Sequence, residues 1–266
     1  MVLLRGKLVI FTWLLTFVLV TLPMVPFFIT EKNRPASKDS VKVRILQANL
    51  WGGKNRNFDG VTENVERFSP DVFVVSENTK MWSQYFERHL PDYKYKIVEN
   101  LHGGIAVYSK LPLENAHVRY FGEKMRPRVE TVVKCNGNKF FLIAAHPMIP
   151  KMMKMRNDEF KELAASAAQS DIPVILAGDL NCSPWSYYFS KLLDDGRLHD
   201  SERGFGIHGS WPAFVLKNIA YMPCIPIDHF LVSDGVTVLS RELGDRDGSD
   251  HLPVFMEVEI AKNRVN

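Results

Sequence analysis

Short apolar runs follow one another through most of this chain, and polar residues or turns bound each of them. Runs of this length, rich in Val, Ile, Leu and Phe, are typical of buried β-strands. Helical spacing is confined to four stretches, about 61–68, 79–90, 151–169 and 184–194. Many strands with few helices predict an α+β fold in which two sheets pack face to face with helices outside. The predicted strands are 41–50, 71–77, 103–109, 129–135, 139–146, 172–181, 225–233 and 252–260.

Polar residues of compatible chemistry stand where these apolar runs meet loops. One such Asp or Asn is usually only a turn former. Strand ends on one edge of a sandwich can converge on a single cleft, however, and functional sites commonly lie on such loops. We therefore treat the set as a candidate site: Asn49, Glu77, His146, Asp179, Asn181, Asp228, Asp250 and His251.

Three of these residues offer hard oxygen ligands. Carboxylate and amide oxygens suit Mg²⁺ or Mn²⁺ better than zinc, and Mg²⁺ keeps coordination sites open for a substrate phosphate. The residues predicted to hold such an ion are Asn49, Glu77 and Asp250. The three cysteines lack the C-x-x-C spacing of a zinc site and indicate no disulfide framework.

The other five residues fit hydrolysis of a phosphodiester. Asp179 can accept a proton from water, and Asn181, two residues along an extended strand, points to the same side. His146 and His251 can donate to phosphate oxygens, where negative charge develops. A carboxylate such as Asp228 would keep one imidazole protonated and oriented, because a nearby opposite charge raises a histidine pKa.

The segments that carry these residues resemble the motif series of the endonuclease/exonuclease/phosphatase superfamily, in that family's order over about 41–260. The resemblance implies a four-layer α/β/β/α sandwich with one or two divalent metals in a cleft at one edge. It also implies metal binding by Asn49, Glu77 and Asp250, and the catalytic roles given above for the other five residues. The matching segments are QANLW, VVSE, GIAVYSKLPL, AAHP, AGDLNCSPWS, IPIDHFLVS and GSDHLPV.

The resemblance is incomplete at two places. Several nuclease branches have a second glutamate or a tyrosine before the central strand, where this chain has NLHGGIAVY and offers only His102. The DNA-inserting loops of abasic-site nucleases also lack a clear counterpart.

The N-terminus carries an uncharged apolar run, residues 8–29. At about 1.5 Å per residue this run can cross the ~30 Å core of a bilayer, which predicts a transmembrane helix. The predicted organisation is an anchor at 1–30, a linker at 31–40 and one catalytic domain at 41–262. A cleaved signal peptide is the competing interpretation, since Arg5 and Lys7 form a short basic region before the run. A large domain after such an anchor is expected on the non-cytoplasmic face.

Charge bears on the substrate. The first 40 residues hold five of the 33 basic and two of the 30 acidic residues, which accounts for the net charge of +3 and leaves the remainder neutral. Nucleic-acid binding usually needs a basic excess. A single-pass membrane protein hydrolysing a membrane-associated phosphate ester, such as a lipid phosphodiester, is therefore favoured, and no obligate protein partner is predicted. The alternatives are an anchored nuclease and a catalytically silent binding domain.

Three segments each leave two interpretations open. Residues 147–156 form either an apolar and basic lip facing lipid headgroups or a helix start with methionines packed inward. Arg126 and Arg128 either contact phosphate or belong to a solvated turn. Trp211 and Tyr221 either line the substrate side or belong to a loop that packs over the sandwich edge.

Overall fold

Two six-stranded sheets form the body of the molecule. The computed structural model describes residues 2–29, 40–122, 126–213 and 224–262. The first sheet has the spatial order β11 (Val236–Leu243), β12 (Val254–Ile260), β1 (Val41–Asn49), β2 (Val72–Ser76), β4 (Ile105–Ser109), β3 (Tyr95–Glu99). The second has the order β5 (Leu113–Phe121), β6 (Arg126–Cys135), β7 (Asn138–Ala145), β8 (Val174–Asp179), β10 (Asp228–Ser233), β9 (Leu198–Asp200).

Each sheet contains one parallel pair of strands, and these pairs matter for the site. β1 runs parallel to β2 in the first sheet, and β7 runs parallel to β8 in the second. The other pairings are antiparallel. Carboxyl ends of parallel strands lie at the same edge of a sheet. Each sheet therefore brings two strand ends to one edge.

Two helices cover the outer face of each sheet: α2 (Phe58–Phe68) and α3 (Lys80–His89) on the first, α4 (Met153–Ala168) and α5 (Tyr187–Gly196) on the second. The described side chains of the N-terminal helix α1 (Val2–Thr21) pack on neither sheet, and 3₁₀ turns lie at Leu22–Phe27 and Pro150–Met152. Asn57 and Thr79 cap the starts of α2 and α3 by accepting backbone N–H groups.

Three apolar clusters hold the layers together. Side chains such as Ile45, Val74 and Leu142 fill the space between the sheets. Trp82 and Phe86 of α3 pack on the first sheet, while Phe160 of α4 and Phe189 of α5 pack on the second. The predicted four-layer α/β/β/α sandwich is confirmed.

The apolar N-terminal segment differs in detail from the predicted helix at 8–29. The α-helix ends at Thr21 and continues as the 3₁₀ turn, because Pro23 and Pro26 cannot donate the backbone hydrogen bonds of an α-helix. Val9–Phe27 is long and apolar enough to cross a membrane, with a mean hydropathy of 2.1. A signal sequence meets the same criteria. Nearly all of the predicted linker lies outside the described residues.

Candidate active site

The parallel strand pairs bring four of the predicted site residues to one edge of the sandwich. Asn49 ends β1 and Glu77 follows β2 in the first sheet. In the second sheet His146 follows β7 and Asp179 ends β8. Asp228 joins them because antiparallel β10 begins opposite Asp179. Residues far apart in the chain thus meet at one place.

A cleft of about 770 Å³ opens at this edge. Two of the eight predicted residues, Asn49 and Asp228, lie buried beneath it. The other six line its wall: Glu77, His146, Asp179, Asn181, Asp250 and His251. All eight predicted residues therefore meet at one cleft.

Asp179 lies at the centre of the hydrogen-bond network. Its Oδ2 accepts from Asn49 Nδ2 at 2.9 Å and lies 3.4 Å from His146 Nε2 and 3.8 Å from His251 Nε2. Asn181 contributes its backbone N–H to Asp179 Oδ1 at 2.8 Å, while its side chain donates to the Pro147 carbonyl. Burial raises the pKa of Asp179 to about 7, against the opposing charge of His251. This carboxylate is thus poised to exchange a proton near neutral pH.

Asp228 and His251 form a buried ion pair. Asp228 Oδ2 accepts from His251 Nδ1 at 2.7 Å. Burial alone lowers the pKa of His251, but the charges of Asp228 and Asp179 outweigh burial and raise it to about 10. Burial alone would raise the pKa of Asp228, and the charge and hydrogen bond of His251 lower it instead. His251 is therefore held protonated, with Nε2 free to face the cleft.

His146 differs from His251 in protonation. Burial lowers the pKa of His146 well below its usual range, and the positive charges of Arg126 and His251 add to that effect. Arg126 also donates from Nε to the His146 carbonyl at 3.0 Å. The cleft thus holds one charged and one neutral imidazole beside the same carboxylate.

The oxygen donors predicted to bind metal fit a divalent cation. Asp250 Oδ1 is buried and has no hydrogen-bond partner among the described residues. The Glu77 carboxylate lies against Gly52 in the same cleft, and the structure gives it no hydrogen bond within the described part of the chain. Asn49 Oδ1 accepts only the Trp51 N–H, at 3.0 Å, and so keeps a lone pair. Hard oxygens left unsatisfied in one cleft are a donor set that Mg²⁺ or Mn²⁺ would accept.

A second group of potential ligands lies deeper. Asp179, Asp228 and His251 place ligand-capable atoms within 4.8 Å of one another, close enough to surround a cation. Asp228 Oδ1 accepts from Gln47 Nε2 at 2.9 Å, however, and its Oδ2 accepts from both Ser210 and His251. These hydrogen bonds satisfy Asp228, so the triad is better suited to holding a proton than a metal.

Arg128 fits neither of its two predicted interpretations, a phosphate contact or a solvated turn. Both arginines belong to β6, not to a turn. Arg128 is buried and pairs with Glu130 at 2.8 Å, so it neither contacts phosphate nor faces solvent, and both alternatives are wrong for it. Arg128 lies on the same face of β6 as Arg126 but two residues further along, where it reaches Glu162 and Ser166 of α4.

Trp211 lines the cleft and donates from Nε1 to Asp250 Oδ2 at 3.3 Å. This position favours the substrate-side interpretation for Trp211. Tyr221 lies outside the described residues.

Several supporting residues were not predicted. Gln47 and Ser210 hold Asp228, and Arg156 Nη1 donates to the Asn181 carbonyl at 2.9 Å from beneath the cleft. Ser249 Oγ donates to the Asn49 carbonyl at 2.6 Å. Gln47 had a visible signal, since it stands two residues before Asn49 on the same face of β1. Ser210 had none, because it lies in a loop 18 residues from its partner.

A buried carboxylate flanked by two imidazoles, beside unsatisfied oxygen donors at the edge of an α/β/β/α sandwich, is an arrangement suited to phosphoester chemistry. The sequence agrees: residues 46–251 match the model of the Endonuclease/Exonuclease/phosphatase family, to which this chain belongs. Members of this family are hydrolases that act on phosphoester bonds and use divalent metals. A search of curated proteins found no significant match.

Solved structures share this fold at low sequence identity. TDP2 of D. rerio, complexed with a single-strand DNA product, is 17% identical with a TM-score of 0.71, over 82% of this chain and 98% of that one. An endonuclease/exonuclease/phosphatase family protein from Bacteroides thetaiotaomicron is 17% identical with a TM-score of 0.69, over 84% and 99%. Sphingomyelinase C from Streptomyces griseocarneus is 16% identical with a TM-score of 0.61, over 82% and 99%. These likenesses establish the fold alone.

Proposed function

We propose that this chain is a membrane-anchored, Mg²⁺- or Mn²⁺-dependent phosphodiesterase acting on a membrane-proximal ester such as a lipid phosphodiester. The observation that carries the proposal is the position of Asp179, whose Oδ2 lies within 4 Å of both cleft imidazoles. A base, two phosphate-binding side chains and free oxygen ligands in one cleft are what hydrolysis of a phosphodiester requires.

Asp179 acts as the general base. It takes a proton from the water that attacks phosphorus, and the N–H groups of Asn49 and Asn181 fix its two oxygens. A base whose pKa lies near the working pH is the most effective, and burial brings the pKa of Asp179 to about 7. The hydrogen bonds keep the carboxylate from rotating out of line.

His251 and His146 bind the phosphate oxygens. His251 donates from Nε2, since Asp228 occupies its Nδ1. Its positive charge is already present before reaction, so it can stabilise developing negative charge without reorganisation. His146 offers a neutral N–H beside the same carboxylate oxygen of Asp179.

A divalent cation would be held by Glu77, Asn49 and Asp250. When bound, it would polarise a phosphoryl oxygen and neutralise charge on the substrate. The network around Asp179 and Asp228 is complete without it, so these side chains are already oriented.

The membrane part of the proposal rests on the N-terminal segment. Val9–Phe27 can span a bilayer, and residues 41–266 have no basic excess that would favour nucleic acid. We place the catalytic domain on the non-cytoplasmic face. An anchored nuclease is the alternative, and the substrate preference distinguishes the two.

The preference for a lipid phosphodiester over DNA can be measured directly. Detergent-solubilised full-length protein should hydrolyse a phosphodiester lipid in mixed micelles at least ~10-fold faster, by kcat/KM, than it cleaves plasmid DNA. The measurement is a side-by-side panel of phospholipids, sphingomyelin, inositol phosphates and DNA, all with Mg²⁺ or Mn²⁺. Asp179→Asn protein in each assay controls for contaminating activities. Faster cleavage of DNA than of any lipid would support the nuclease instead.

A further inference from the structure

The end of the apolar N-terminal segment packs against the catalytic sandwich. We call the 3₁₀ turn at Leu22–Phe27 the docking segment. Phe27 is only 5% exposed, and its ring lies 5.8 Å from that of Trp185. Two backbone hydrogen bonds complete the contact, from Gly206 N to the Phe27 carbonyl at 2.7 Å and from Gly204 N to the Pro26 carbonyl at 3.2 Å. The domain is thus held at the end of α1 by more than a covalent tether.

One loop separates the docking segment from the cleft. In the loop after β8, residues 181–183 line the cleft, whereas Pro184 and Trp185 line the small cavity beside the docking segment. Residues 9–21 at about 1.5 Å per residue and the six-residue turn at about 2 Å together span roughly 32 Å, about the thickness of the hydrocarbon core. A segment that crosses the core therefore leaves it near Phe27, where the chain packs against the domain. The cleft mouth, one loop away, then lies beside the headgroup layer.

Exposed apolar side chains surround the cleft mouth. Ile149 and Ile225 line the cleft itself and are exposed. Beyond residue 29, eight large apolar side chains are exposed in the described part of the chain, and five of them belong to this edge. We call these five the apolar rim: Ile149, Met153, Trp185, Tyr187 and Ile225.

Two lysines adjoin the rim. Lys151 and Lys154 are exposed beside Met153, whereas Met152 and Met155 are partly buried. Residues 147–156 therefore combine both predicted interpretations, a helix start and an apolar and basic lip. Lysines at the edge of an apolar patch suit a surface of anionic headgroups over acyl chains.

We propose that the apolar rim rests on a phospholipid bilayer and that the docking segment holds the cleft against it. A phosphodiester in the headgroup layer can then enter the cleft without leaving the membrane. This inference rests on the anchoring stated in the proposed function and goes beyond it, since an anchor alone leaves the domain free to turn. The main support for the proposal is that Trp185 of the rim packs against Phe27 of the docking segment, which continues directly from α1.

Depth measurement in vesicles tests this orientation. Full-length protein would be reconstituted into vesicles of phosphatidylcholine with phosphatidylglycerol, with one fluorescent label on Ile149→Cys or on Tyr187→Cys. The control label is on Asp234→Cys, which is 88% exposed in the turn after β10, at the end of that strand opposite the cleft. Cys135 and Cys182 are buried, and unsubstituted protein treated alike gives the background of Cys224.

We expect brominated lipids to quench the rim labels at least ~3 times as strongly as the Asp234→Cys label, because only the rim enters the interface. Equal quenching at both positions in membrane-inserted protein would overturn the proposal. The quenching measurement does not depend on enzymatic activity. It would therefore still report the orientation if the protein proved not to be a phosphodiesterase. Protein extracted from vesicles by alkaline carbonate would instead refute the anchor.

A matched pair of variants tests the docking segment. Phe27→Ser removes the buried ring, whereas Phe28→Ser changes the neighbouring ring, which is 66% exposed. Phe27→Ser should reduce quenching of the Tyr187→Cys label at least twofold, and Phe28→Ser should leave it unchanged. Hydrolysis of a soluble phosphodiester should be the same in both, which shows that the domain remains folded. Unchanged quenching in Phe27→Ser would mean that the segment does not hold the cleft in place.

Discussion

Asp179→Asn should lower kcat for a soluble phosphodiester by at least ~10², with little change in KM, because the amide cannot take a proton from the attacking water. The substitution keeps the size and planar shape of the side chain. The amide oxygen can still accept from one of the two donors, Asn49 Nδ2 or the Asn181 N–H, which bind different oxygens of Asp179. The measurement is steady-state hydrolysis of bis-p-nitrophenyl phosphate with Mg²⁺ or Mn²⁺ at pH 7 to 8.

Asp234→Asn is the matched control for this change. Asp234 is 88% exposed and lies at the opposite end of β10 from the cleft, so its loss of charge should leave kcat within about twofold of wild type. Thermal unfolding of both variants checks that the fold is intact. Near-normal turnover by Asp179→Asn would remove Asp179 from the catalytic step.

His251→Gln should also lower kcat by at least ~10². Glutamine can still donate to a phosphate oxygen, but it lacks the positive charge that Asp228 and Asp179 maintain on the imidazole. The substitution also leaves the Asp228 carboxylate buried without its ion-pair partner, so some loss of stability accompanies the loss of turnover. Measuring kcat well below the unfolding temperature separates the two effects.

The control for this variant is His199→Gln. The His199 side chain is 67% exposed and lies on β9, at the edge of the second sheet and away from the cleft. Its replacement should change neither kcat nor KM. If His251→Gln and His199→Gln turned over substrate equally well, His251 would have no catalytic role.

The sequence predicted the interior strands of both sheets and missed the edges. All eight predicted runs correspond to strands with a neighbour on each side. Both faces of such strands are buried, so their sequences are apolar almost without interruption. The four strands that were missed, β3, β5, β9 and β11, are the four sheet edges. Edge strands have one neighbour and carry exposed charged residues, as LENAHVRYF in β5 does. Their composition does not distinguish them from loops.

The polar residues of the cleft were predictable because each follows or precedes an interior strand. Their burial was not, since Asn49 and Asp228 lie beneath the cleft only because two sheets meet there. The partners of Asp228 depend on tertiary register: Gln47 reaches it across 181 residues of chain. Arg128 was misjudged because a strand start and a turn look alike in an R-P-R sequence.

The docking segment was also beyond sequence analysis. Hydropathy identifies Val9–Phe27 as apolar throughout. It gives no reason to expect that the Phe27 side chain is buried and the Phe28 side chain exposed. Only packing against Trp185 and the Gly204–Gly206 backbone distinguishes the buried ring from the exposed one.

The most direct measurement of the central claim is metal-dependent hydrolysis by the purified full-length protein. We expect it to hydrolyse bis-p-nitrophenyl phosphate with Mg²⁺ or Mn²⁺, to lose this activity with EDTA, and to regain it when excess cation is restored. Asp179→Asn protein should stay inactive under all three conditions. Hydrolysis by wild-type protein that continues undiminished in EDTA would contradict the metal-dependent mechanism.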